Sequence, residues 1–268
     1  MRYTDADLRF LALALWRDDP AAAEERVREW RAGPEAVDAC LDDERVFIAL
    51  TADDRAVIEL SPRFLFTLLL RRIRRDLASI PYTVERIERD GRLVVFDAGI
   101  VHQMLENDDI FGYLVELLVS FERAETLTVR RATPPGGLRR LSTMSIEDMV
   151  ELAGLVDQPL RPMVFRRIGD IALFTTSLFP DALPHGRRPT VTSAYARPPI
   201  HRWRLEDYEE EGRAFYRLAA ESLQSSQPGL ARVLARLASD FALARKPLHV
   251  LGERYMVWAR PHWRQTPS

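Results

Sequence analysis

The segment of about residues 161–179 constrains the fold of this chain most, because it predicts a helix that is apolar over most of its surface. Arg166, Arg167 and Gly169 precede its most apolar half, and Pro180 follows its end. A helix without a broad polar face is stable only when other elements cover it. We therefore expect this helix to be buried, with the rest of the chain packed around it.

The flanking sequence predicts helices before about residue 80 and after about residue 145. Between them, the spacing of apolar residues changes from that of helices to that of β-strands. Asp90-Gly91 lies between two β-prone runs, which is a strong hairpin signal, and a second hairpin is predicted over about 125–141. We expect the four strands to pair as one small sheet. The predicted fold is mainly α, a multi-helix bundle around the buried central helix with one or two small β-hairpins.

The chain is predicted to form a single compact unit, because no linker or repeat divides it. Within that unit we expect a helical lobe over about 1–80, a hairpin-containing middle over about 81–144 and a second helical lobe over about 145–268. Five prolines between 180 and 203 predict a long connection that crosses the surface. Three helices should follow, over about 205–224, 229–244 and 247–259.

Composition excludes several kinds of chemistry. Lysine and arginine together number 38, and Lys246 is the only lysine. Arginine stays protonated and cannot act as an amine nucleophile, so an enzyme that needs a lysine must use Lys246. The net charge of −2 disfavours a protein whose main partner is a nucleic acid. Cys40 is the only cysteine, which excludes an intramolecular disulfide and a zinc site of cysteines.

Metal and nucleophile motifs are missing from the sequence. None of the five histidines occurs in a Glu-x-x-His or His-Glu-x-x-His motif, and there is no Gly-x-Ser-x-Gly elbow. His102 and Glu106 lie one helical turn apart, but we expect no metal and no cofactor. The enzyme hypothesis that remains would use Asp97, His102 and Asp170 as acid-base groups.

Arginine clusters support a third hypothesis, a nucleic-acid-binding protein. They lie at 71–75, 139–140, 187–188 and 197–204. A helix-turn-helix over 145–168 is disfavoured because two prolines fall where its second helix should begin. Nucleic acid is therefore the least favoured partner.

Candidate ligand-binding residues lie on the central helix and on the segments that follow it. Arg166 and Asp170 are spaced to form an ion pair on one helical face, and the pair should be partly buried. Gly212 lies in a later helix with aromatic residues one turn to either side, so we expect that helix to pack on the central one. The full set of candidates is Arg166, Arg167, Asp170, Tyr208, Tyr216, His201 and Trp203.

One long pattern resembles an uncharacterised group of prokaryotic cytosolic, mostly helical proteins. Its residues are Ile168-Gly169-Asp170-x-Ala172-Leu173-Phe174-x4-Phe179-Pro180 and Tyr208-x3-Gly212-x2-Phe215-Tyr216. Members similar to this chain also have segments like Leu60-Ser61-Pro62-Arg63-Phe64 and Val95-Phe96-Asp97-Ala98. The resemblance extends over most of the chain from about Leu60 onward. It implies one continuous unit and supplies no activity.

The favoured function is a non-catalytic interaction or small-ligand-binding protein. It would use the 180–203 connection and the neighbourhood of Arg166 and Asp170. We expect a protein partner or a small ligand, a homodimer as the default oligomer, and no membrane association. The first twenty residues are too acidic for a signal peptide and no apolar run reaches the roughly 20 residues that span a bilayer, so we expect a cytoplasmic protein.

Overall fold

A computed structural model describes residues 3–33, 35–52, 59–87, 91–122, 125–130, 138–183 and 203–255. In that part the chain forms twelve α-helices and two small antiparallel sheets of two strands each. The predicted mainly α bundle with small hairpins is confirmed. No described helix is both long enough and apolar enough to cross a bilayer.

The structure describes five helices in the N-terminal part. They are α1 (Asp5–Leu15), α2 (Pro20–Ala32), α3 (Glu35–Cys40), α4 (Glu44–Ala52) and α5 (Pro62–Ser79). Thr4 and Asp7 form a capping box at the start of α1. The carboxylate of Asp7 is fully buried and also accepts hydrogen bonds from the amide and the hydroxyl of Ser61, at 2.8 and 2.6 Å. One buried carboxylate therefore holds the beginnings of α1 and α5 together.

The middle of the chain contains both hairpins, with two helices between them. Its elements are β1 (Thr83–Ile87), β2 (Gly91–Val95), α6 (Ala98–Leu105), α7 (Asp108–Ser120), β3 (Thr126–Arg130) and β4 (Leu138–Ser142). Each hairpin forms a separate sheet, β1 with β2 and β3 with β4. The expected single four-stranded sheet is therefore wrong. The hairpins stay apart because α6 and α7, which separate them in the chain, both pack against α5.

The C-terminal part is helical. Its described elements are α8 (Ile146–Leu155), a 3₁₀ turn (Gln158–Leu160), α9 (Arg161–Leu178), a second 3₁₀ turn (Pro180–Ala182), α10 (Leu205–Leu223), α11 (Pro228–Ser239), α12 (Phe241–Val250) and a π-helical turn (Leu251–Tyr255). Helix α9 is the predicted central helix, and most of its residues from Ile168 onward are buried. Most of the predicted 180–203 connection lies outside the described residues.

Two boundaries near the C-terminus differ from prediction. The helix expected over 229–244 ends at Ser239, and α12 begins at Phe241, which is fully buried. Pro247 was expected to begin a helix but lies inside α12. A π-helical turn, Leu251–Tyr255, follows α12 directly. Residues 256–259 of the predicted last helix lie outside the described residues.

Helices α9 and α10 approach each other closely at two glycines, as the sequence predicted. A Cβ atom on Gly169 would lie 2.5 Å from the ring of Tyr216. A Cβ atom on Gly212 would lie 2.5 Å from the ring of Phe241 and 2.9 Å from Cβ of Ala172. Only glycine leaves room for these contacts, which bring α10 and α12 onto the central helix.

Candidate functional site

Asp170 lies at the centre of a buried polar cluster on α9. Its Oδ1 accepts hydrogen bonds from the hydroxyls of Tyr113 on α7, at 2.6 Å, and Tyr216 on α10, at 2.8 Å. Nε of Arg166 lies 3.6 Å from Oδ2 of Asp170 and donates a 3.1 Å hydrogen bond to the Tyr113 hydroxyl. The predicted pair of Arg166 and Asp170 is therefore present, and two tyrosines complete it.

Burial controls the protonation of this cluster. Burial raises the pKa of Asp170 above its ordinary value, although Arg166 and the two tyrosine hydroxyls lower it in part. Burial likewise raises the pKa values of Tyr113 and Tyr216 well above 10, and the nearby Asp170 raises them further. Both tyrosines therefore keep the protons that they donate to the carboxylate.

The geometry of the Asp170 cluster favours a structural role. Tyr216 is fully buried and Asp170 is 3% exposed, so the cluster lies in the packed interior between the helices. Each hydroxyl of the cluster comes from a different helix, so the hydrogen bonds tie α7 and α10 to α9. A buried charge satisfied in this way fixes the register of the helices against each other.

The other predicted candidates lie in two further places. Arg167 donates to the carbonyl of Thr143 and to the hydroxyl of Ser120, both at 2.8 Å, and its guanidinium stacks 3.8 Å from the ring centre of Phe121. Trp203 and Tyr208 pack edge to face, with ring centres 5.4 Å apart. His201 lies outside the described residues.

A second polar cluster contains the only lysine of the chain. Nζ of Lys246, on α12, forms an ion pair with the carboxylate of Asp97 and lies 3.3 Å from the Thr83 hydroxyl. The same hydroxyl donates a 2.6 Å hydrogen bond to the other oxygen of Asp97. Lys246 is 7% exposed. The cluster joins the first hairpin and the start of α6 to α12.

Two cavities flank this cluster. The larger has a volume of about 330 Å³, and we call it the cleft. Its lining residues are Ile73, Asp76, Leu77, Ile80, Tyr82, Thr83, Val84, His249, Val250, Glu253 and Arg254. The smaller cavity, of about 30 Å³, is lined in part by Lys246 and shares Thr83, Val84, His249 and Val250 with the cleft. The cleft thus lies between α5, β1 and the end of α12.

The polar side chains around the cleft are held in place by neighbours. Nδ1 of His249 lies 3.1 Å from the carbonyl oxygen of Ser177. Because a carbonyl only accepts, Nδ1 carries a proton, which leaves Nε2 of a neutral ring as an acceptor. Oδ2 of Asp76 accepts a 3.0 Å hydrogen bond from the Tyr255 hydroxyl, and Oδ1 lies 3.0 Å from Nε of Arg72. These contacts fix the rim of the cleft before a ligand arrives.

No family model, curated protein or solved structure matches this chain. Function must therefore be inferred from the chain's own residues.

The predicted acid-base groups do not meet at one site. Asp170 contacts the two tyrosines, whereas Asp97 contacts Lys246 and Thr83. Nδ1 of His102 lies 3.0 Å from the carbonyl of Arg74, and its Nε2 lies 3.9 Å from Glu106. Each group has different partners, which weakens the hypothesis of an enzyme that uses all three.

The arginines of α5 face acidic side chains. Arg71 pairs with Asp42, and both Arg72 and Arg75 pair with Glu44. The guanidinium of Arg74 lies 3.4 Å from the carboxylate of Glu106. The cluster therefore connects α5 to the turn after α3, to α4 and to the C-cap of α6, and its charge is largely neutralised by neighbours. This arrangement weakens the hypothesis of nucleic-acid binding through 71–75.

The sequence did not predict the cleft, nor that Thr83 and His249 would supply polar groups to its lining. The rarity of lysine singled out Lys246, but no local pattern indicated its partner. Tyr113 was also missed. An aromatic residue on an apolar helix face predicts a core position, but the pattern does not indicate which residue its hydroxyl will bind.

Proposed function

We propose that this protein is a non-catalytic binding protein whose ligand occupies the cleft. The observation that carries the proposal is the cleft of about 330 Å³, with an apolar wall from Ile73 and Leu77 and polar groups from Thr83 and His249. Pockets for small molecules have volumes of about 300–1,000 Å³ and combine apolar walls with a few polar groups. A ligand with an apolar body and a polar end fits this description.

Binding is favoured over catalysis because the ionisable groups near the cleft neutralise each other. Lys246 is paired with Asp97, and Asp76 is held by Arg72 and Tyr255. A nucleophilic amine or a general base must be free to give up or accept a proton during the reaction. Groups held in ion pairs are better suited to fixing the walls of a binding site.

The proposal includes a cytoplasmic location, a homodimeric state and membership in the uncharacterised prokaryotic group. A single cysteine supports the location, because stable disulfides belong to oxidising compartments. The motifs around Gly169 and Gly212 support the membership. The two glycines form the contact between α9 and α10, so the pattern corresponds to a packing requirement of this fold.

Ligand binding at the cleft can be tested with a matched pair of variants. Val84 and Val94 are cross-strand partners on the first hairpin, and they are 40% and 47% exposed. Only Val84 lines the cleft. We expect Val84→Trp to fill the cleft and abolish binding, whereas Val94→Trp should bind like the wild type.

The measurement begins with native mass spectrometry of the purified protein, which detects a ligand that co-purifies. A fragment library of small carboxylates, amines and zwitterions is then tested by ligand-observed NMR against the wild type and both variants. Fragments that bind the wild type and Val94→Trp but not Val84→Trp would support the proposal. A clean apo mass without fragment binding, or equal binding to all three proteins, would reject it.

A further inference from the structure

The first hairpin, β1 with β2, has an inner face that meets α12. Thr83 and Val95 are cross-strand partners on this face. Thr83 is buried and forms hydrogen bonds with Lys246 and Asp97, and Val95 is half-buried. Because side chains alternate between the two faces of a strand, the residues on either side of Thr83 and Val95 point outward.

The outward face of the hairpin is apolar. Val84 and Val94 are cross-strand partners on it, and both are exposed. Tyr82 directly precedes β1 and Phe96 directly follows β2, and their rings pack edge to face with centres 6.2 Å apart. Tyr82 is 41% exposed and Phe96 is 78% exposed. We call these four residues the hairpin face. The solvent side of an antiparallel sheet usually carries polar side chains, so this face is typical of an interaction surface.

Contacts within the hairpin face do not account for its composition. Aromatic and β-branched cross-strand pairs stabilise a hairpin by themselves. The contact with Tyr82 nevertheless leaves more than three-quarters of Phe96 exposed. In the described part of the chain, Phe96 is the most exposed of the large hydrophobic residues. A side chain of this size gains most from burial against a partner.

The area of the hairpin face matches the apolar core of a protein–protein interface. Since an aromatic side chain can bury about 150–250 Å², the exposed fractions of the four side chains amount to about 350 Å². A standard interface buries about 800 Å² of each partner, of which roughly 450–500 Å² is apolar. A dimer that uses this face therefore has most of the apolar area that it needs.

The chemistry of the hairpin face fits a second copy of itself. In a dimer with two-fold symmetry the same patch lies on both sides of the interface, so a charge near the axis faces a like charge. None of the four side chains carries a carboxylate, an amine or a guanidinium. Uncharged aromatic residues are also typical of the centre of an interface. Pairing of the face with itself therefore brings no like charges together.

We propose that the hairpin face is the interface of a homodimer, in which the first hairpins of two copies pack face to face. Phe96 is the residue whose loss should weaken the dimer most, because large aromatic side chains at the centre of an interface supply most of its affinity. The inference rests on the homodimeric state included in the proposed function, and it names the surface that forms the dimer.

The test is sedimentation equilibrium of the full-length protein between about 0.1 and 100 μM, which spans the weaker affinities of interfaces of this size. The wild type should have twice the 30.8 kDa mass of one chain. Phe96→Glu should raise the dissociation constant of the dimer at least about a hundredfold. The reason is that the substitution occurs twice in a symmetric interface and each loss should weaken binding about tenfold.

Leu13→Glu is the matched control for Phe96→Glu. Leu13 lies on α1, outside the hairpin face, and is 53% exposed. This variant should dimerise like the wild type. Circular dichroism and thermal unfolding establish that both variants are folded.

A photo-crosslinking experiment tests the interface without disrupting it. The crosslinker p-benzoylphenylalanine is introduced at position 96 in place of Phe96, and in a second sample at position 13. Irradiation should produce a covalent dimer only from the first sample, and mass spectrometry should map the crosslink to the first hairpin of the second copy.

Three results would overturn the inference. They are a wild type that stays monomeric over the whole concentration range, a dimer that Phe96→Glu leaves intact, and a crosslink that maps outside the hairpin. With a monomeric wild type, a different protein would be the partner of this face.

The outcomes also separate this inference from ligand binding at the cleft. Fragment binding by a monomeric wild type overturns the dimer interface and leaves the proposed ligand binding in place. Dimerisation that depends on Phe96, without any fragment binding, supports the interface and rejects the ligand.

Discussion

The buried Lys246 and the largely buried Asp97, whose side chain is 11% exposed, form an ion pair that joins α12 to the first turn of α6. Asp97 is the N-cap residue of α6, yet its side chain caps no backbone amide, because its carboxylate oxygens are taken by Lys246 and Thr83. One lysine thus holds the first hairpin and α6 against the C-terminal helices, directly beside the proposed binding cleft.

Replacing Lys246 by methionine should lower the free energy of unfolding by about 3–5 kcal/mol, because Asp97 would remain as a buried, unpaired charge. Urea denaturation measures this loss. The double variant Lys246→Met with Asp97→Asn leaves no charge and should lose less than the single variant. Equal losses in the single and double variants would contradict a role for the ion pair.

Gly169→Ala should destabilise the protein by about 1–3 kcal/mol, because the added methyl group overlaps the buried ring of Tyr216. Gly112→Ala is the matched control. Gly112 lies inside α7 and a Cβ atom there would meet no atom within 4 Å. The free energy of unfolding of this control should increase by about 0.5–1 kcal/mol, because alanine has a better helix propensity than glycine. Thermal unfolding of both variants tests the contrast, and similar effects in the two would disprove the close contact.

Tyr113→Phe and Tyr216→Phe should each lower the free energy of unfolding by about 1.5–3 kcal/mol, because each removes one hydrogen bond to the buried carboxylate of Asp170. The two losses should not be additive, because both hydroxyls contact the same oxygen. A double-mutant cycle by chemical denaturation measures the coupling. Two independent losses that sum in the double variant would mean that the hydroxyls do not share Asp170.

Asp170 should make stability fall as pH rises above about 4. The pKa of its carboxyl is raised in the folded state, mainly by burial, from an ordinary value of 3.8. Between these two pKa values the folded protein binds more protons than the unfolded chain, so ionisation of Asp170 favours unfolding. Other carboxyls contribute to the whole profile, so the quantity to measure is the difference in unfolding free energy between the wild type and Asp170→Asn.

As pH rises from 3.8 to the raised pKa of Asp170 in the folded state, the Asn variant should become more stable relative to the wild type. Above that folded-state pKa, the difference in unfolding free energy should become constant. A difference that does not change between acidic and neutral pH would show that Asp170 titrates normally.

Local sequence signals predicted much of the fold. The central helix and the antiparallel pairing of the first hairpin depend on residues only a few positions apart, and both predictions are confirmed in the described part of the chain. The pair of Arg166 and Asp170 was predicted for the same reason, since a spacing of four residues places both on one helical face.

Predictions failed where distant segments decide the outcome. Whether two hairpins share a sheet depends on the helices between them, which here pack on α5 and keep the strands apart. Pro247 predicted the start of a helix, but α12 begins six residues earlier, at the buried Phe241, and contains Pro247. Tertiary packing overrides local preference at both places.

The sequence by itself determined which segments are helical, which segments form the two hairpins, and that any chemistry requiring a lysine must involve Lys246. These properties follow from side-chain periodicity, turn residues and composition. Only the tertiary structure decided that Lys246 lies against Asp97, 149 positions earlier in the chain, and that a cleft forms between α5 and β1. Contacts of such sequence separation are set by how helices pack around α9, and no local pattern encodes them.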